Sequence, residues 1–278
     1  MLFDGGRVTG IRARSNGGRS ITESAGVVVG ADGRRSLVAK WVAPEHYHEL
    51  PSRMAMYYAY WSGLPVDDFT STLRAEHRRG WATWPTHDDL TALTFGWPID
   101  EFKANRSDIE GNFFAAIDLV PEFAERVRAA SRESKFIGSA DLPGFFRKPF
   151  GPGWALVGDA GYHKNPITGM GINDAFRDAE LAAAAIHDSI AGRRSWERGM
   201  SDYQRARDAE SLPVYEFTDE FAQLVPPPPE LQELLGAMQG NQEAIDAFVS
   251  VQASTLPAPE FFAPENVERI MATAHVAS

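Results

Sequence analysis

Hydrophobic positions change their spacing several times along this 278-residue chain, and each change predicts a different kind of element. Near the start, Val8 and Ile11 mark a strand, Asn16-Gly17-Gly18 is a strong hairpin turn, and a second strand follows. Val27-Val28-Val29 is wholly apolar and β-branched, the pattern of a strand buried on both faces. A helical segment through Leu37–Trp41 comes next. From Arg53 to Trp97 the runs MAMYYAYWSGL, TSTLRAEHRRGWATWP and LTALTFGWP are aromatic and threonine-rich, separated by Pro, Asp and Gly, and they predict an antiparallel meander. Residues 107–131 turn to helical spacing, with Ile109, Phe113, Ala116, Ile117 and Val120 on one face before Pro121 interrupts.

WALVGDAG is again a short apolar strand with a polar end. The clearest helix covers 171–191, with Ile172, Ala175, Phe176, Ala179, Ala182, Ala183, Ile186 and Ile190 on its apolar face and Gly192 as a stop. Tyr203–Val225 predicts another helix with a break near Pro213. Pro226–Pro229 is a stiff spacer, 230–250 fits one further helix, and the end of the chain, with Pro257, Pro259 and Pro264, reads as irregular.

Composition adds exclusions. A hydrophobic content of 44% and an aromatic content of 11% suit a globular protein with a full core. No apolar run approaches the roughly 20 residues of a membrane span, and MLFDGGRVTG has no basic segment leading into an apolar one. A cytoplasmic location is the default expectation. With no cysteine, disulfides and thiolate chemistry are excluded. The net charge of −11 disfavours nucleic acid as a partner. The charge is uneven: residues 1–40 hold seven Lys/Arg against three Asp/Glu, and residues 201–278 hold three Arg against thirteen Asp/Glu. A basic first segment suits a phosphate-bearing ligand, and scattered surface arginines explain it equally well.

Two loops carry candidate chemistry. In Gly30-Ala31-Asp32-Gly33-Arg34-Arg35-Ser36 a strand ends in a tight turn, Asp32 stands at the carboxyl end of the strand, and Ser36 can cap the next helix. A plain structural turn accounts for these residues as readily as a ligand does. In GDAGYHKNPITGMGINDAF, Gly158-Asp159 ends a strand, Pro166 stiffens the loop, and Gly169 and Gly171 let the backbone approach a ligand at a helix start. Asp159 is either a solvated cap or an acceptor for ligand hydroxyls. A sheet-edge acid beside a helix N-terminus suits a flavin, whose ribityl chain offers hydroxyls and whose reduced ring carries negative charge.

VVVGADGRRS followed much later by WALVGDAGYHKNPITGMGINDAFRDAELAAAAI resembles the para-hydroxybenzoate hydroxylase-like FAD monooxygenases, the flavoprotein aromatic hydroxylases. The resemblance covers the layout of residues 1 to about 225. It implies an α/β fold with an α+β body: an incomplete Rossmann-like FAD-binding domain (1–50 and 145–225), an inserted antiparallel substrate-binding sheet (51–144) and a C-terminal helical or irregular tail (226–278). It implies FAD contacts at Gly30, Asp32, Gly33, Arg34 and Ser36, at Gly158 and Asp159, and at Pro166, Gly169, Met170, Gly171, Ile172 and Asn173. It further implies NAD(P)H as reductant, O₂ as co-substrate and a small aromatic or hydrophobic substrate. Tyr58, Trp84, Phe95, Trp97 and His163 are the substrate-pocket candidates; ordinary core placement also explains any single one of the aromatics, and a backbone hydrogen bond also explains the loop histidine. No catalytic base is carried over and no metal is expected. Trp81-Ala82-Thr83-Trp84-Pro85 touches the tryptophan motif of flavin halogenases in composition but not in spacing.

The family opens with a strand, a G-x-G-x-x-G turn and a helix, and this sequence has no G-x-G-x-x-G. The expectation is therefore a fragment, one half of a split protein, or a remnant, which holds FAD weakly and associates with itself or with a missing N-terminal half. The alternatives to a monooxygenase are a reductase or dehydrogenase of the same fold without oxygen insertion, and a non-catalytic remnant that binds a small molecule or a partner.

Overall fold

A computed structural model describes residues 1–15, 17–252 and 255–274; Asn16 of the predicted hairpin turn lies outside the described residues. Strands β1 (Leu2–Asp4), β2 (Arg7–Arg14) and β3 (Ser20–Ser24) form an antiparallel sheet. Gly5 and Gly6, at φ +54° and +82°, turn the chain between β1 and β2, a hairpin the sequence reading did not anticipate. β4 (Val28–Gly30) leads through the Asp32 loop into α1 (Leu37–Val42). β4 lies at a sheet edge with Val29 44% exposed, so this apolar run is not buried on both faces.

β5 (His46–Leu50) precedes the meander of β6 (Met54–Ser62), β7 (Thr70–Arg74), β8 (Arg79–Pro85) and β9 (Thr91–Pro98). Three helices follow, α2 (Phe102–Asn105), α3 (Ile109–Ile117) and α4 (Pro121–Ala129), then β10 (Ser131–Arg132) and β11 (Ile137–Ser139), which both pair with β6. Pro121 ends the α3 segment and opens α4, where its missing N–H is no loss. One face of this sheet is sealed by α3 and α4. There Phe95 and Phe113 have ring centroids 4.7 Å apart, and Trp61 and Trp81 stack on Phe113 and Phe123 at 5.6 and 5.8 Å.

The chain returns through β12 (Gly144–Arg147), β13 (Phe150–Gly151), β14 (Trp154–Leu156) and β15 (Tyr162–His163). β14 pairs in parallel with β4, Trp154 opposite Val28 and Leu156 opposite Gly30. α5 (Gly171–Ile190) and α6 (Trp196–Phe221) then pack together, and α6 runs unbroken through Pro213. The acidic end of the chain holds α7 (Pro229–Ala237), α8 (Gln242–Gln252), α9 (Ala258–Phe261) and α10 (Pro264–Ala274), packed around Leu234, Met238, Phe261 and Ile270. Its prolines, read as signs of irregularity, stand at or just before helix starts. Among the described residues no helix is long and apolar enough to cross a membrane.

Candidate functional site

The parallel pairing of β4 with β14 brings the two glycine-rich loops together. Both leave the carboxyl ends of adjacent strands, and Val157 N–H donates to the Gly30 carbonyl at 3.0 Å. In α/β sheets that end is where ligands bind. Arg147 ties the loops to each other: Nη1 donates to the carbonyls of Ala160 at 2.9 Å and Arg34 at 3.4 Å. From behind, the fully buried Arg207 donates to the Gly161 carbonyl at 3.2 Å, and Tyr203 donates to the Leu156 carbonyl at 2.8 Å. α6 thus holds the Asp159 turn in place.

A cleft of about 600 Å³ opens at these strand ends. Gly33 and the 158–159 turn line one side, and Pro166, Gly169 and Gly171 line the approach to α5. Gly169 has φ +70° and nothing within 4 Å of the position of a Cβ, so only glycine keeps both the turn and the open space. Gly171 is the first residue of α5, whose free N–H groups favour a negatively charged ligand edge.

α5 departs from the face expected of it. Ile172, Phe176 and Ile190 are 71%, 72% and 76% exposed, whereas Asp174 and Asp178 are buried. The reason is charge pairing: Asp174 accepts from Lys164 and from Arg177 Nη1 at 3.0 Å, and Asp178 accepts from Arg177 Nη2 at 2.7 Å. The outward Ile172, Phe176 and Ala179 then form an apolar wall of the cleft.

Of the residues expected to contact FAD, Gly33, Gly158, Asp159, Pro166, Gly169, Gly171 and Ile172 line the cleft. Others do different work. At Gly30 a Cβ would stand 2.7 Å from Leu156 Cδ2 and 2.9 Å from Val38 Cβ, so the glycine permits close packing of β4, β14 and α1. Asp32 accepts from the backbone N–H of Leu37 at 2.7 Å and of Val38 at 3.3 Å, at the start of α1. Burial opposes its charge, but hydrogen bonds from Ser36, Leu37 and Val38 outweigh that and hold its carboxyl below the usual value. Ser36 caps α1 through the Ala39 N–H at 2.9 Å, and Arg34 pairs with Asp141 at 2.8 Å. Met170 is buried at the foot of α5, and Asn173 is exposed on it.

The pocket candidates separate. Phe95 and Trp97, two residues apart on β9, point together into the α3 side and are fully buried in the core, away from the cleft. Tyr58 and Trp84 lie on the opposite face, Tyr58 paired with Thr94 and Trp84 with Ala92. That face continues through Met56 to Met54, which packs near Ile167 of the cleft loop. His163 lines the cleft, but its Nδ1 sits 2.5 Å from the Pro143 carbonyl. Burial holds its pKa below the usual histidine value, so it is neutral at pH 7. Lys164, Asn165 and Tyr162 also line the cleft and were not singled out, because only tertiary pairing reveals them.

Residues 1–218 match the family model described as an FAD binding domain. The chain belongs to this FAD-binding family. Proteins similar to it are named for different chemistry. A digeranylgeranylglycerophospholipid reductase of Methanothrix thermoacetophila is 27% identical over 211 residues, which cover 74% of this chain and 51% of the reductase. A flavin-dependent brominase, Bmp2, matches in structure with a TM-score of 0.77 at 19% identity, covering 100% of this chain and 69% of that one. PqsL, a probable FAD-dependent monooxygenase from Pseudomonas aeruginosa, matches with a TM-score of 0.59 at 22% identity, covering 76% and 57%. At these identities the two structures show the shared fold alone. The chain spans about half the length of the curated relatives it matches.

Proposed function

We propose that this chain forms the flavin-ring side of an FAD-dependent oxidoreductase that hydroxylates a small aromatic or hydrophobic molecule, with NAD(P)H as reductant. The observation that carries the reading is the meeting of Gly33, Gly158-Asp159 and Gly169–Gly171 around one cleft at the ends of two parallel strands. The residues present fit a flavin. Asp159 offers a carboxylate for ribityl or ribose hydroxyls, and glycine at 169 and 171 leaves room for a flat ring. Bound FAD would supply the redox chemistry, accepting electrons from a nicotinamide and passing them to oxygen.

The chain's own part is binding, orientation and exclusion of water. Ile172 and Phe176 present an apolar wall to the cleft, and His163 stays uncharged. A substrate between the cleft loop and the open face of the large sheet meets Met56 and Tyr58. An aromatic or hydrophobic molecule suits that lining.

The reductase among the relatives favours a second reading, reduction without oxygen insertion. The test is to load the purified chain with FAD, record its visible spectrum, and follow NADH and NADPH oxidation with and without oxygen. Oxygen-dependent formation of a hydroxylated aromatic product supports the proposal. Substrate reduction that needs no oxygen moves the chain to the second reading, and product that needs added halide overturns both.

A further inference from the structure

The wall of the cleft holds a buried cation with N–H donors to spare. Lys164 lines the cleft with its side chain 5% exposed, and its ammonium donates to Asp174 in the first turn of α5. Asp174 holds a second cation as well, its other oxygen accepting from Arg177, which also pairs with Asp178. An ammonium has three N–H donors, and among the described residues only Asp174 takes one in a hydrogen bond. The next residue adds to this. Asn165 is 7% exposed, its Oδ1 accepts from the Ile167 N–H at 3.1 Å, and its Nδ2 has no hydrogen-bond partner. Two adjacent residues with donor capacity to spare, one of them charged, therefore stand beside the helix start where the reading above places the flavin ring.

Keeping this ammonium buried is unfavourable: burial, then Arg177, push its pKa down to about 8, against the pull of Asp178 and Asp159. Asp159 and Asp178 are the acids facing it besides Asp174, and Arg177 is the facing cation. An anionic ligand edge would relieve that cost. In a site shielded from water a fixed charge acts strongly on a ring whose own charge changes on reduction.

We propose that Lys164, with Asn165 beside it, is the side-chain cation that meets the acceptor-rich edge of the flavin and favours its reduced, negatively charged form. This rests on the reading of the cleft as a flavin site. Reduction adds two electrons and one proton to the ring and leaves one negative charge, which the ammonium offsets.

The experiment is an anaerobic reductive titration of the FAD-loaded chain, with dithionite as electron source and a reference dye, for the wild type and for Lys164→Met, Lys164→Arg and Asn165→Asp. Lys164→Met is expected to lose about tenfold of the preference for reduced over oxidised flavin, a potential lower by ~30 mV for a two-electron couple. Lys164→Arg keeps the charge and the wild-type potential. Asn165→Asp retains an oxygen for the Ile167 N–H, adds a negative charge, and also lowers the potential. Flavin bound one per chain with an unchanged potential in Lys164→Met, or in Asn165→Asp should the methionine variant not fold, overturns the inference alone. A wild-type chain that takes up no FAD overturns the reading of the cleft and this inference with it.

Discussion

The carboxylate of Asp159 faces the first residue of α5: a Cβ placed on Gly171 would stand 3.9 Å from Asp159 Oδ1. The acid just past the end of β14 and the helix start twelve residues later therefore border the same space. A ligand that bridges them donates hydroxyls to Asp159 and presents an electron-rich edge to α5. Asp159→Ala should weaken FAD by about 1.5–3 kcal/mol, the contribution of a hydrogen bond to a charged group. Isothermal titration with FAD measures this, and an unchanged dissociation constant would reduce Asp159 to a cap on its own turn.

Substitutions at Gly169 and Gly171 should differ in kind. Gly171 is helical, and its nearest neighbour leaves a Cβ in ordinary contact, so Gly171→Val keeps the fold while its methyls enter the cleft. Gly169 holds φ +70°, so a valine there also strains the backbone, by about 1–2 kcal/mol. The expected pattern is loss of bound flavin in both variants, with a lowered melting temperature in Gly169→Val alone. A Gly171→Val protein that purifies yellow contradicts this account.

The glycine-rich loops, the meander and the helix over 171–190 were legible because each rests on local signals: turn residues, period-two aromatic runs and helical spacing. What was not legible depended on pairing and packing that residue spacing alone does not show. The apolar stripe of Ile172, Phe176 and Ile190 reads as a buried face, but Lys164 and Arg177 neutralise Asp174 and Asp178 and let the acidic side turn inward. β9 offered Phe95 and Trp97 as pocket residues because a strand pattern shows which residues share a face, not which face α3 covers. Pro213 predicted a break that the packing of α6 against α5 overrides. Asp32 looked ready for a ligand, and in the structure it satisfies the start of α1.

The position of Phe95 gives a separable prediction. It packs on Phe113, Trp97 and Phe136 between the large sheet and α3. Phe95→Ala should cost about 3–5 kcal/mol of stability, as large cavities in cores do, and leave flavin affinity of the folded fraction unchanged. Urea unfolding and FAD titration on the same sample separate the two effects. Weakened flavin binding at full stability would return Phe95 to the pocket.

Lys164 makes stability depend on pH in a direction opposite to that of most ion pairs. Its folded pKa of about 8 lies below the ordinary lysine value of 10.5, so the fold disfavours the charged form. Below pH 8 both folded and unfolded chains hold the proton, and the cost of the buried charge is present in full. Between about pH 8 and 10.5 the folded chain releases the proton while the unfolded chain keeps it, so stability rises with pH across that window. By pH 9 the relief amounts to about 1 kcal/mol, one pH unit past the folded value. Buried Tyr162, Tyr203 and Tyr215, whose pKa values burial raises, act in the other sense once tyrosines of the unfolded chain ionise near pH 10. The comparison therefore belongs at pH 7, 8 and 9, by urea unfolding of the flavin-free wild type and Lys164→Met. Every other titrating group is common to both proteins. The difference between them should shift in favour of the wild type from pH 7 to pH 9. A difference that stays constant across that range would mean that the Lys164 ammonium carries no burial cost, its charge being fully compensated by Asp174.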